Sequence, residues 1–98
     1  MRVFLFIASL FVCSILFGQG TDHQLAEHYF SNGEFEKALT YYERLNDKHD
    51  NKFYFDRLII CLEQTGNDKE VEKLLKKAIS RSSEPQEYSI QLASFYEN

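Results

Sequence analysis

From residue 21 onward, apolar residues return every three or four positions and polar residues fill the gaps. Phe35, Ala38, Leu39, Tyr42 and Leu45 form one such stripe, and Leu25 and Tyr29 begin another. A helix of 3.6 residues per turn places positions three and four apart on one face, so this pattern predicts amphipathic helices. Punctuation divides it. Thr21 with Gln24 reads as a capping box for a first helix ending near Ser31. Asn32-Gly33 supplies a turn, because such residues tolerate positive φ. A second helix is predicted over 34–45, a polar loop over 46–51, and a third helix over 52–64 that stops at Gly66. Asp68 can cap a fourth helix reaching Ser80 or Arg81. Ser82-Ser83-Glu84 reads as a linker. Ser83 with Gln86 boxes a fifth helix, with Pro85 in its first turn and the pattern still running at Asn98. An apolar stripe is buried only if another helix covers it. Ala26 and Ala38 are small where the first two helices would cross. The fold class is all-α.

The same pattern returns at a fixed distance. Gly66 answers Gly33, Val71 answers Ala38, Leu75 answers Tyr42 and Ala78 answers Leu45, each 33 residues on. Upstream of the glycines, Leu58, Ile59 and Leu62 answer Leu25, Ala26 and Tyr29 in the same register. A third copy opens with Leu92, Ala93 and Tyr96, 34 residues beyond the second. A period of this length predicts stacked helical hairpins. Chance gives one or two apolar coincidences in a chain that is 44% hydrophobic, but not seven in one register that includes a glycine.

These positions resemble the tetratricopeptide repeat (TPR). The first copy supplies Leu25, Ala26, Tyr29, Gly33, Phe35, Ala38 and Tyr42, and departs from the family pattern at Leu45 and Asp50. The second departs at Ile59, Asp68 and Val71, and Pro85 falls where it should close. The resemblance covers residues 21–98. It implies antiparallel helix pairs stacked as a right-handed TPR-like α-solenoid, with repeats over 21–50 and 51–84 and the first helix of a third over 85–98. It further implies a concave groove lined by the first helix of each pair. Carried over, the groove positions are His23, Glu27 and Phe30, then Phe53, Asp56, Ile60 and Glu63, then Ile90, Ser94 and Glu97. That lining is acidic and apolar, so a basic or apolar protein or peptide suits it. One branch of the family holds carboxylates with lysine and asparagine at the groove entrance. His23 and Glu27 stand there instead, which argues against chaperone tails.

Residues 1–20 have a different composition. Arg2 precedes an apolar run over 3–17, broken only by Ser9 and Ser14, and Gly18-Gln19-Gly20 follows. A basic start, a short apolar centre and small residues at the exit predict a secretory signal peptide, with cleavage between Gly18 and Thr21. The run is shorter than the roughly 20 residues that span a bilayer as a helix. An uncleaved anchor and lipidation at Cys13 are the rivals, although bulky Phe11 and Val12 precede that cysteine. Phe17-Gly18-Gln19 resembles the end of a bacterial export signal. The predicted location is therefore the periplasm or cell envelope, with membrane contact only during passage.

Charge narrows the partners. The chain carries −4, and losing Arg2 with the signal makes it more acidic. An acidic surface repels phosphate backbones, so nucleic acid is not expected. Loss of residues 1–20 would also leave Cys61 as the sole thiol, set among Leu58, Ile59, Ile60 and Leu62 as a buried small hydrophobe. Catalytic chemistry is thin. His23 and Glu27, four apart, could begin a metal site but lack a third ligand. There is no paired-cysteine motif, phosphate-cradling glycine loop or serine elbow. No cofactor and no intrinsic catalysis are expected. Lys73, Lys76 and Lys77 make a small basic patch beside Glu72, which a solvated helix face explains.

The expected function is an exported scaffold for protein–protein interaction. The alternative is the repeat module of a longer envelope protein with a C-terminal enzymatic or signalling domain. The third copy reaches Asn98 before its own turn and second helix, leaving Ile90, Leu92, Phe95 and Tyr96 without a later cover. Self-association through 85–98 is a further expectation.

Overall fold

The computed structural model describes residues 18–97. The predicted signal peptide lies outside them except for its last three residues. Among the described residues the chain is helical, without strands: α1 (Gly18–Ser31), α2 (Phe35–Lys48), α3 (Lys52–Gln64), α4 (Asp68–Arg81) and α5 (Gln86–Glu97). None of these helices is long and apolar enough to cross a membrane. The chain divides into two compact units, one up to Cys61 and one from Leu62.

The 33-residue period is present in the backbone geometry itself. Gly33 and Gly66 take φ of +75° and +76°, a region that costs a side-chain-bearing residue about 1–2 kcal/mol. Each glycine closes a helix through the same pair of bonds. Gly33 N–H donates to Phe30 O (3.1 Å) and Glu34 N–H to Tyr29 O (2.8 Å); Gly66 N–H donates to Glu63 O (3.2 Å) and Asn67 N–H to Leu62 O (2.8 Å). These are Schellman turns, which satisfy carbonyls that the helix end would otherwise leave unpaired. The far ends of the following helices also correspond: His49 N–H caps Leu45 O, and Ser82 N–H caps Ala78 O. Every one of these positions is 33 from its counterpart.

Some expected boundaries move. α1 already runs at Gly18, so Thr21 lies inside the helix rather than capping it, and the expected cleavage positions fall in its first turn. Glycine weakens a helix by only about 1 kcal/mol per residue, and no proline interrupts 18–20. α2 extends one turn past Leu45 to Lys48, whose charge suits the negative end of the helix dipole. That shortens the expected loop and leaves Asn51 to cap α3, its Oδ1 accepting from Phe53 N–H at 2.8 Å. Asn67, not Asp68, is the N-cap of α4. Before α5 it is Ser82 Oγ that accepts from Glu84 N–H (3.0 Å). The Pro85 carbonyl receives Ser89 N–H (2.9 Å), so Pro85 stands at the cap rather than inside the first turn.

In the first unit α1 and α2 pack on each other. Partners move in opposite directions along the two helices, from Phe30–Phe35 near the turn to Glu27–Tyr42 and then Asp22–Arg44, so the pair is antiparallel. α3 runs with α1: His23 meets Phe53 and Tyr54, and Glu27 meets Arg57. Ala26, Ala38, Tyr42 and Cys61 are fully buried, and Leu45, Leu58 and Ile59 nearly so. In the second unit α4 packs against α5, and Leu62, Val71 and Leu75 are buried.

Candidate protein-binding face

The first unit gathers three of the groove residues around one that the sequence pattern did not nominate. Arg57, on α3, lays its guanidinium 3.9 Å from the Phe30 ring centre and 5.0 Å from that of Phe53. Cation–π attraction of this kind is worth about 0.5–2 kcal/mol, depending on how far water is excluded. Arg57 Nε lies 3.8 Å from Glu27 Oε1. The same oxygen accepts a 2.5 Å hydrogen bond from the Tyr42 hydroxyl, which arrives from α2. One carboxylate thus ties all three helices together. Burial pushes the Tyr42 hydroxyl well above its usual range, and the bond to Glu27 pushes it further, so it remains a donor.

Aromatic rings complete the base. Phe30 meets Phe35 and Tyr42 edge-on, at 5.4 Å and 6.0 Å between centroids and nearly perpendicular. Edge-to-face geometry brings the positive rim of one ring to the negative face of the other. His23 Nδ1 and the Tyr54 hydroxyl are 3.0 Å apart, and the His23 ring tilts toward Phe53. The spacing of Phe53, Arg57 and Ile60 explains their shared direction: four and then three residues keep them on one side of α3. Phe53 and Ile60 remain 42% and 39% exposed.

Within the first unit, the two acidic positions of the expected lining have partners. Glu27 is answered by Tyr42 and Arg57, and Asp56 by Lys52 at 2.6 Å. The negative charge that the sequence places on this face is therefore met within the unit. The remaining groove positions belong to the second unit. Glu63, Ser94 and Glu97 are exposed there, and Ile90 is 69% exposed. Glu63 has its carboxyl raised from the usual value by burial and by Asp68. Arg57 and Tyr42 were missed for different reasons. Arg57 had a signal, since it is the one cation in the apolar stretch 53–62 and needs a partner. Tyr42 had been assigned to the core by its ring alone.

The described residues include no group of three His, Cys, Asp or Glu side chains placed to hold a metal ion. Cys61 is fully buried, and burial pushes its thiol up to about 11, which makes it a weak nucleophile at neutral pH. Set beside protein-family models, curated proteins and solved structures, the chain matches none.

Proposed function

We propose that this chain is a protein-binding scaffold of the tetratricopeptide type, exported to the periplasm or cell envelope and without catalysis of its own. The observation that carries the reading is the pair of Schellman turns 33 residues apart, with matching caps at the far ends of α2 and α4. Fixed-period hairpins of this kind present side-chain surfaces rather than enclosed reaction chambers. Export is supported by Arg2, the apolar run over 3–17 and the small residues after it.

The partner segment lies on the α1–α3 face of the first unit. With Glu27 and Asp56 already paired, Phe53 and Ile60 supply most of the attraction, so the partner is anchored by apolar side chains. Seven helical residues rise about 10 Å, which matches anchors two helical turns apart or three residues apart in an extended strand. A photo-crosslinking residue at position 53, introduced into the full chain in an exporting host, tests the reading. A discrete protein adduct is expected there, and none from position 43 on the exposed side of α2. Equal labelling at both positions, or adducts at neither, would remove the basis for a binding face. Amino-terminal sequencing of envelope-fraction protein checks export; an intact Met1 on soluble cytoplasmic protein refutes it.

A further inference from the structure

The second unit carries a surface that the binding reading does not use. Lys69, Lys73 and Lys76 follow one another along one side of α4, and with Glu72 they line a shallow cleft. Their side of the helix is turned away from Val71 and Leu75, which are buried. The cleft is not electrically balanced. Lys76 is held by Glu72 at 2.7 Å, and this bond, with a smaller influence from Tyr96 of α5, keeps the carboxyl below its usual value. Lys69 and Lys73 have no ion pair among the described residues. Two ammonium groups without an ion pair therefore stand one turn apart, on a helix whose first turn also carries Asp68 and Glu70, in a chain whose net charge is −4.

We infer that this α4 cleft is a docking site for an acidic protein segment carrying two carboxylates one turn apart. The rise between Lys69 and Lys73 is about 6 Å along the axis, the spacing of Glu or Asp at i and i+4 on a helix or at i and i+2 on a strand. A small anion gains little here, because the lysines are exposed and hold their charges on flexible stems. A segment with two carboxylates engages both cations for one loss of translational freedom. A broad anionic surface such as a membrane is a poorer match. The rest of the acidic chain is repelled by it, and the apolar residues of α4 are already committed to packing. Glu72 does not block the segment, since its charge is consumed by Lys76.

The inference rests on the second unit alone, and its fate is separate from that of the α1–α3 face. The test is fluorescence anisotropy of the full chain with a labelled synthetic helical peptide bearing Glu at i and i+4. Each exposed pair is worth a factor of about 1.4–5, so Lys69→Glu/Lys73→Glu should weaken binding by about tenfold or more. The milder Lys69→Gln/Lys73→Gln pair should weaken it by a smaller factor, with helical circular dichroism unchanged. Lys37→Glu/Lys48→Glu, which changes net charge equally but on α2, should leave affinity within about twofold, because an exposed ion pair acts only between the side chains that form it. Equal losses in the two charge-reversed pairs would reduce the effect to net charge and overturn the site. So would absence of peptide binding at low salt. Binding of phosphatidylglycerol vesicles or inorganic phosphate in preference to the peptide would overturn the assignment to a protein segment.

Discussion

Replacing Tyr42 with phenylalanine removes one oxygen and leaves the ring edge-on to Phe30 in the core. The lost contact is the 2.5 Å bond from the Tyr42 hydroxyl to Glu27. A hydrogen bond to a charged acceptor contributes about 1.5–3 kcal/mol. Glu27 keeps Arg57 at 3.8 Å, and its side chain is 35% exposed, so water can re-solvate the orphaned oxygen. That places Tyr42→Phe near the lower end, at about 1.5 kcal/mol, or roughly 6–12 °C in midpoint for a domain of this size. The pH dependence gives a sharper signature. The folded-state pKa of Tyr42 is raised, so its stabilisation is complete below the usual value of 10.0 and is lost as pH rises above it. Cys61 acts in the same direction, from 9.0 to about 11, but it is present in both proteins and cancels in the difference. Urea denaturation followed by circular dichroism should show the advantage of wild type over Tyr42→Phe constant from pH 7 to 9. Above pH 10 it should shrink, with a limiting slope of about 1.4 kcal/mol per pH unit. An advantage that stays constant through pH 11, or a variant as stable as wild type, would refute the argument that a buried, proton-donating hydroxyl joins α2 to Glu27.

Gly33→Ala and Gly66→Ala should each cost about 1–2 kcal/mol in urea denaturation, and nearly the same amount, because both glycines hold φ near +75° with open space around the added methyl. Unequal costs would break the equivalence of the two turns. Cys61 should resist alkylation in the native chain at pH 8 and react quickly once urea unfolds it, as mass spectrometry would record, because its thiol is fully buried and titrates near 11. Fast native labelling would contradict the burial.

The sequence by itself determined the helices, the two glycine turns and the 33-residue register. All of these are local: a Schellman turn is closed by backbone bonds spanning four or six residues, and its left-handed residue is glycine for a steric reason that needs no distant partner. The cap positions were less legible. Thr21, Asp68 and Ser83 are good capping residues, but the helix simply continues through Thr21, Asn67 takes the N-cap position ahead of Asp68, and Ser82 rather than Ser83 accepts the N–H before α5. Only the tertiary structure decided how the face of the first unit is charged. Spacing along α3 puts Phe53, Arg57 and Ile60 on one side, but it does not fix the rotation of α3 against α1. That rotation slots Arg57 between Phe30 and Phe53 and carries its Nε to Glu27. The bond from Tyr42 to Glu27 crosses fifteen residues of chain and exists because α2 folds back on α1. A carboxylate that reads as an exposed negative charge in the sequence becomes, in the packed unit, the joint between three helices.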